Sequence, residues 1–382
     1  MAGIFKRITK GTLVIINLMI SAPMFALYFL PKLSPSAQSV FNLLSLAFPY
    51  LLLLQMFFVV IWLFVYRKLV LIPFVTVLVC WKLIFSLIGS SYSTNNRNSS
   101  DKQFRIASWN VHLFGFFNNG AEPNPNMLSY AKNLATDVLC VQELVFSLDD
   151  SSSFSLEQLK RRLGYRYAFA GNFRSFGVHA NNPLTDQKEY YPFCLAVFSN
   201  YPIVNQKKIR PLPEYNHTFI WTDLKVGADT IRVFNIHLQS MHFVKKDYDF
   251  IETIDQQSAD DLSINGKSLL RKLRDANFQR AVQVLAVRDE VQKSPYPVIL
   301  CGDLNDVPNS YTYQVLRKDL RDGFSDKGFG IGRTFQFLAP TLRVDYIFYS
   351  DFLPIQSFRV DKGFQSDHKP LVAVFDLPAA KD

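Results

Sequence analysis

The sequence predicts an α/β domain of packed sheets flanked by helices, preceded by three membrane-spanning helices. Three observations predict it. All 32 acidic residues lie at or beyond Asp101, so the first hundred residues hold none. Three long apolar runs dominate that first hundred. From Phe104 onward, short β-type runs alternate with polar turns and helix-period segments.

The apolar runs cover residues 13–30, 40–66 and 69–89. A span needs about 20 apolar residues to cross about 30 Å of hydrocarbon, and each run meets that length. Pro23, Pro49 and Pro73 fall inside the runs. Membrane helices tolerate proline where neighbouring helices satisfy the freed carbonyls. Lys6, Arg7 and Lys10 would also suit a cleaved signal peptide, but two further runs follow and supply anchoring. Lys82, inside the third run, is expected to snorkel toward the nearer interface rather than to mark an intramembrane site.

Orientation follows from the basic residues. The N-terminal tail carries three and the second connection carries Arg67 and Lys68, whereas the first connection has only Lys32. The N-terminus and the Arg67-Lys68 turn are therefore expected in the cytoplasm, with everything after residue 89 on the opposite side. Eight of the 41 basic residues lie in the first hundred, which leaves 33 against 32 acidic residues beyond it. The larger part is nearly neutral, which excludes a strongly basic nucleic-acid platform. A hydrophobic content of 49% with 35 Phe excludes a disordered chain.

The expected division is an anchor at 1–89, a polar linker at 90–103 and a catalytic domain at 104–382. Treated as flexible, the linker spans about 20 Å. Strand-like runs follow at residues 105–111, 138–142, 193–199, 219–225, 231–236, 297–301, 343–349 and 371–377. The clearest helix covers 268–291, where Leu269, Leu270, Leu273, Val282 and Leu285 recur at three-to-four spacing. Residues 241–265 read as a long acidic loop, a lid or rim over the site. Cys140, Cys194 and Cys301 sit in apolar runs and read as buried free thiols, and no metal-type Cys spacing occurs.

Polar residues able to hold a metal or a phosphate end five of these runs: SWN at 108–110, QE at 142–143, NIH at 235–237, GDLN at 302–305 and SDH at 366–368. A sixth segment, RVDY at 343–346, places Asp345 at a strand start. Each alone reads as a surface charge or a structural His; six in one stretch make coincidence a poor account.

The order WN, QE, NxHL, GDLNxxPxS, RVDYIF, SDHKP resembles the endonuclease/exonuclease/phosphatase superfamily. These divalent-metal phosphoesterases include pancreatic deoxyribonuclease, abasic-site endonucleases, neutral sphingomyelinases and inositol polyphosphate phosphatases. The resemblance covers about residues 104–377 and implies a four-layer α/β sandwich, two mixed sheets packed face to face with helices outside. It implies Glu143 as principal metal ligand, with Asn110 beside it and Asp367 close by. It places Asp303 and Asn305 at the attacking water and the phosphate. His368 becomes the essential imidazole oriented by Asp345, and His237 matches a second histidine found in several branches. Asp303 is the candidate base, with His368 stabilising phosphorane-like charge; the reverse, with the His368–Asp345 pair as base, stays open. The implied cofactor is Mg2+, with Mn2+ as alternative, because Mg2+ binds through one or two carboxylates and keeps most of its waters.

Two branches fit less well. Abasic-site endonucleases have Asp where this chain has His112 and Tyr where it has His237, and inositol phosphatases follow GDLN with a Tyr-Arg-like pair in place of Asp306-Val307. His112, His179, His217 and His242 match no motif and read as structural. Gly266-Lys267-Ser268 lacks the upstream Gly of a phosphate loop. Lys267, Arg271, Lys272, Arg274 and Arg280 read as a solvated helix face, with a lipid-headgroup contact next. The expected function is a membrane-anchored Mg-dependent phosphoesterase acting on a lipid headgroup or small phosphoester, with membrane lipids as its surroundings. The alternatives are a nuclease acting on DNA or RNA, and a catalytically inactive membrane-bound module. Nothing in the sequence indicates a protein partner.

Overall fold

The computed structural model describes residues 2–30, 33, 39, 41–91, 103–119, 122–150, 152–181, 188–210, 219–241, 243, 245–254, 257–337 and 340–377. His217, His242 and most of the polar stretch at 90–103 lie outside them. The chain forms two compact units that do not follow chain order: Met1–Ile88 with Met241–Ala281 and Val307–Gln314, and the remainder.

In the first unit, helices at Lys10–Phe29 and Leu43–Val65 are long and apolar enough to cross a membrane. The third run is a bent pair, Arg67–Val79 and Trp81–Leu87, with 62° between its parts. Cys80 makes the bend, its φ −85 and ψ 9 lying off the helical values. Of the three spans expected, two are single long helices and the third is a helix pair broken at the bend. Many apolar side chains of these helices face outward, Leu53 at 68% and Phe64 at 87% exposure among them.

Inside the bundle, polar side chains satisfy one another. Asn17 Nδ2 donates to Gln55 Oε1 (2.7 Å), Gln55 Nε2 to Ser21 Oγ (2.6 Å), Trp62 Nε1 to Asn17 Oδ1 (3.0 Å) and Thr76 Oγ1 to Ser21 Oγ (2.9 Å). All five residues are buried. Interhelical hydrogen bonds of this kind fix which helix faces meet where apolar contact cannot, because lipid is equally apolar. Ser21 lies beside Thr76 and Met24 beside Cys80, so the bent helix runs parallel to the first.

Residues 241–265, expected as a loop, are largely helical: Lys245–Glu252 is one helix and Ala259–Gln292 another. Ser258 Oγ accepts from the Asp261 N–H, a capping contact that starts the long helix. The acidity that suggested a loop sits partly at this helix start, where carboxylates suit the dipole. Arg280, expected on a solvated face, is buried and donates to Asn277 Oδ1, while Lys272 pairs with Asp247 at 2.6 Å. Asn42 donates to Asn277 Oδ1 and accepts from Tyr311 N, and Ser86 donates to Asn309, so polar residues near helix ends hold the later segments of this unit.

The second unit is the expected α/β sandwich. Its strands are β1 (Gly89–Ser90), β2 (Gln103–Asn110), β3 (Val138–Val145), β4 (Tyr167–Asn181), β5 (Lys188–Ser199), β6 (Ile203–Ile209), β7 (Phe219–Val226), β8 (Asp229–His237), β9 (Val298–Asp303), β10 (Arg321–Asp322), β11 (Phe329–Gly330), β12 (Asp345–Tyr349), β13 (Ile355–Val360) and β14 (Leu371–Asp376). Two six-stranded sheets have the orders β13-β14-β2-β3-β5-β4 and β10-β12-β9-β8-β7-β6. Among the described strands only β2–β3 and β8–β9 pair in parallel, so both sheets are mixed. Alternation along β2 and β3 sends Phe104, Ile106, Val138 and Cys140 toward Val233, Ile299 and Cys301 of the other sheet. Trp109, Leu139 and Val141 point the other way, into a cluster with Met127, Leu128 and Leu159 from the helices Pro125–Asn133 and Leu156–Leu163. Residues 89–91 are not free linker: β1 pairs with β11, and Ser91 N donates to Gly328 O. The four cysteines are buried and free.

Candidate active site

The strand register assembles the site before any side chain is considered. Asn110 pairs with Gln142 across β2 and β3. In the facing sheet Asp303 lies opposite His237 on one side and Asp345 on the other. A bulge in β3 between Val141 and Leu144 re-aims Glu143, whose φ is +50. His112 (φ +44) and Asn305 (φ +52) also adopt the left-handed conformation, strain of the kind that persists where surrounding structure imposes it.

Glu143 lies at the centre. Asn110 Nδ2 donates to Glu143 Oε1 at 3.0 Å and to Asp303 Oδ2 at 3.1 Å, joining carboxylates from the two sheets. His237 Nε2 stands 3.7 Å from Glu143 Oε1 and 3.6 Å from Asp303 Oδ2. His112 Nδ1 stands 3.7 Å from Glu143 Oε2 and 3.6 Å from Asp367 Oδ1. His368 Nδ1 meets Asp345 Oδ2 at 2.8 Å, and its Nε2 lies 3.7 Å from Asp303 Oδ2. Asp303, Asp345 and His368 bring ligand-type atoms within 4.8 Å of one another. Asn305 donates its backbone N–H to Asp303 Oδ1 (2.7 Å) and its amide to Leu238 O (3.0 Å). Ser366 Oγ anchors the SDH segment on Asn110 O at 2.8 Å, and Trp109 Nε1 holds His368 O at 3.0 Å.

Asn110, Glu143, His237, Asp303, Asn305, Asp345, Asp367 and His368 thus all come together. His112 does too, against the structural role expected of it: the left-handed turn after Asn110 brings its ring back over Glu143. That signal was present in the sequence as the polar residue two positions after Asn110. Two motif residues do other work. Asn235 Nδ2 donates to Val141 O and Ala196 O at 2.9 Å each, and Gln142 Nε2 donates to Asn235 Oδ1 at 2.7 Å, a fully buried brace between the sheets.

Electrostatics sharpen the arrangement. Burial pushes the Asp303 carboxyl up, with the Asp345 charge adding to it and His368 and His237 opposing. Burial would depress His368, but the charges of Asp345 and Asp303 and the Asp345 hydrogen bond outweigh it and hold the imidazole well above its usual value. Among the described residues, neither Lys nor Arg pairs with Glu143, Asp303, Asp345 or Asp367, whose charged partners are imidazoles. A cluster of carboxylates that neither Lys nor Arg neutralises is a donor set that fits a divalent metal.

The family model described as "Endonuclease/Exonuclease/phosphatase family" matches residues 107–368, and a domain of unknown function matches residues 10–87. None of the curated proteins compared matches the chain. Among solved structures, the endonuclease/exonuclease/phosphatase from Beutenbergia cavernae is similar at TM-score 0.50 and 17% identity, covering 73% of each chain. The endonuclease/exonuclease/phosphatase from Bacteroides vulgatus gives 0.48 and 13%, covering 72% of this chain and 100% of the other. The human Nocturnin catalytic domain with bound sulfate gives 0.45 and 18%, covering 72% and 93%. The first of these likenesses shows the fold, and the family match extends over most of the chain. Members of that family are typically divalent-metal phosphoesterases or nucleases, and this chain belongs to the endonuclease/exonuclease/phosphatase family.

Proposed function

We propose that the protein is a membrane-anchored, divalent-metal phosphoesterase whose substrate is a lipid headgroup or another small phosphoester. The observation that carries the hydrolytic reading is the convergence of Glu143, Asp303, Asp345 and Asp367 with three histidines and, among the described residues, no Lys or Arg pairing. Glu143 and Asp367, with Asn110 and His112 beside them, are the residues to hold Mg2+ or Mn2+. Such an ion supplies charge neutralisation at the phosphoryl oxygens. Asp303 then positions and deprotonates the attacking water, with Asn110 and Asn305 fixing its two oxygens. His368, kept protonated by Asp345, offers its Nε2 proton toward the developing charge on the phosphoryl group. The raised imidazole favours Asp303 over His368 as the base.

Membrane anchoring is supported by the two long apolar helices and the bent pair, and the basic residues favour a catalytic unit on the non-cytoplasmic side. The lipid preference rests on a near-neutral region beyond residue 100 and on continuity, Gly89 of the second unit following directly on Ile88 of the first. Nucleic acid is the second reading, since the fold serves nucleases too. The test is hydrolysis by full-length protein in detergent with Mg2+ or Mn2+. Choline- and glycerol-headgroup phospholipids and sphingomyelin are compared with single- and double-stranded DNA. Headgroup release without DNA cleavage supports the proposal; DNA cleavage without headgroup release replaces it.

A further inference from the structure

A cavity of about 500 Å³ shares no side chain with the carboxylate cluster. Four basic residues line it, Arg333, Arg359, Lys362 and Lys369, against one acid, Asp361. That acid is already engaged: Tyr130 Oη donates to it at 2.5 Å, Lys362 N at 2.7 Å and Arg359 Nε at 3.1 Å. Arg333 donates to the carbonyls of Phe335 and Gln336, which leaves its charge unneutralised. Among the described residues, Lys362 and Lys369 form no ion pair. The cavity therefore presents surplus positive charge.

Its floor is apolar. Phe324 and Phe358 are buried and meet edge to face, with centroids 5.9 Å apart. A Cβ at Gly328 or at Gly332 would come within 2.3 Å of the Phe324 ring, so glycine at both lets the backbone close over that ring. Phe329, 67% exposed, and Ser91 stand among the lining residues. Cations beside the exposed Phe329 ring, in a volume within the range of small-molecule sites, suit a phosphate carrying an organic group.

We propose that this cavity binds a phosphate ester, its phosphate against Arg359, Lys362 and Lys369 and its organic part beside the exposed Phe329 ring. The site is separate from the catalytic one but adjoins it through the chain. Lys369 follows His368, its N–H donates to Thr334 O, and Thr334 Oγ1 accepts from the Asp345 N–H at 3.2 Å. Ser91 lies four residues after Leu87, the end of the last apolar helix, so a lipid headgroup is one natural source and a soluble phosphate ester the other.

The test is hydrogen–deuterium exchange of full-length protein in nanodiscs. Three arms are compared: phosphatidylcholine alone, phosphatidylcholine with phosphatidylglycerol, and phosphatidylcholine with glycerol 3-phosphate in solution. Exchange in residues 324–333 and 357–363 should slow about tenfold with ligand at about ten times its dissociation constant. The slowing should persist in Glu143→Gln, which separates it from the catalytic centre. It should disappear in Lys362→Glu, an exposed substitution that leaves the fold intact, and in Lys362→Ala/Lys369→Ala. Slowing only with phosphatidylglycerol identifies a lipid headgroup; slowing with glycerol 3-phosphate as well identifies a soluble ester. Equal exchange in all three arms, or slowing that survives both lysine variants, overturns the proposal.

Discussion

Replacing Asn235 with alanine removes the buried brace between the two sheets. The substitution takes one hydrogen bond from each of three buried groups: the carbonyls of Val141 and Ala196, and the Gln142 amide, which keeps Ser108 Oγ at 3.2 Å. Each such loss costs about 1–3 kcal/mol, and at the lower end of that range the three together cost about 3–5 kcal/mol. For a unit of this size about 1 kcal/mol lowers the melting temperature by about 2–4 °C, so the expected drop is about 6–20 °C. The assay is a thermal melt of full-length protein in detergent, followed by near-ultraviolet circular dichroism. Asn205→Ala, on an exposed edge strand where its side chain bonds only the neighbouring Gln206 N–H, is the control and should melt near wild type. An Asn235→Ala protein melting within about 2 °C of wild type would refute the bracing argument, since it corresponds to under about 1 kcal/mol.

Three further outcomes are expected. His368 is held protonated above its ordinary value of about 6.5, so it contributes stability that is complete below that pH and is lost as pH rises through the raised value. Melts in EDTA across neutral and alkaline pH should show this loss, and Asp345→Asn should flatten it. His112→Ala should raise the Mn2+ concentration for half-maximal binding, read by electron paramagnetic resonance, about tenfold or more. An unchanged value would return His112 to a structural role. A Cys introduced among residues 92–102 should react with an impermeant thiol reagent in intact cells or spheroplasts, and labelling only after lysis would reverse the proposed orientation.

What could be read from the sequence followed burial. Strands buried on both faces, such as β3 and β9, appear as continuous apolar runs because each face meets a packed layer. The edge strand β6, with Val204, Asn205, Gln206, Lys207 and Lys208 exposed, carries no such run and was not expected. β4 and β13 were missed as well; β13 lies at a sheet edge and buries only Ile355 and Phe358, too few for an apolar run. The metal-type residues were legible because they lie within or beside strands, and register then determines which of them meet. Chain order could not show that Asn235 and Gln142 face each other between the sheets, or that a left-handed turn folds His112 back over Glu143. Nor could it show that residues 241–281 and 307–314 pack with the apolar helices, since those contacts join segments more than two hundred residues apart.

The most direct test of the catalytic account measures phosphoester hydrolysis by full-length protein with Mg2+ or Mn2+, beside Glu143→Gln and His368→Ala. The account predicts loss of activity in EDTA, recovery on adding the metal, and a fall of about 10²–10⁴-fold in turnover for each variant. Hydrolysis that survives both EDTA and His368→Ala at the wild-type rate would contradict it.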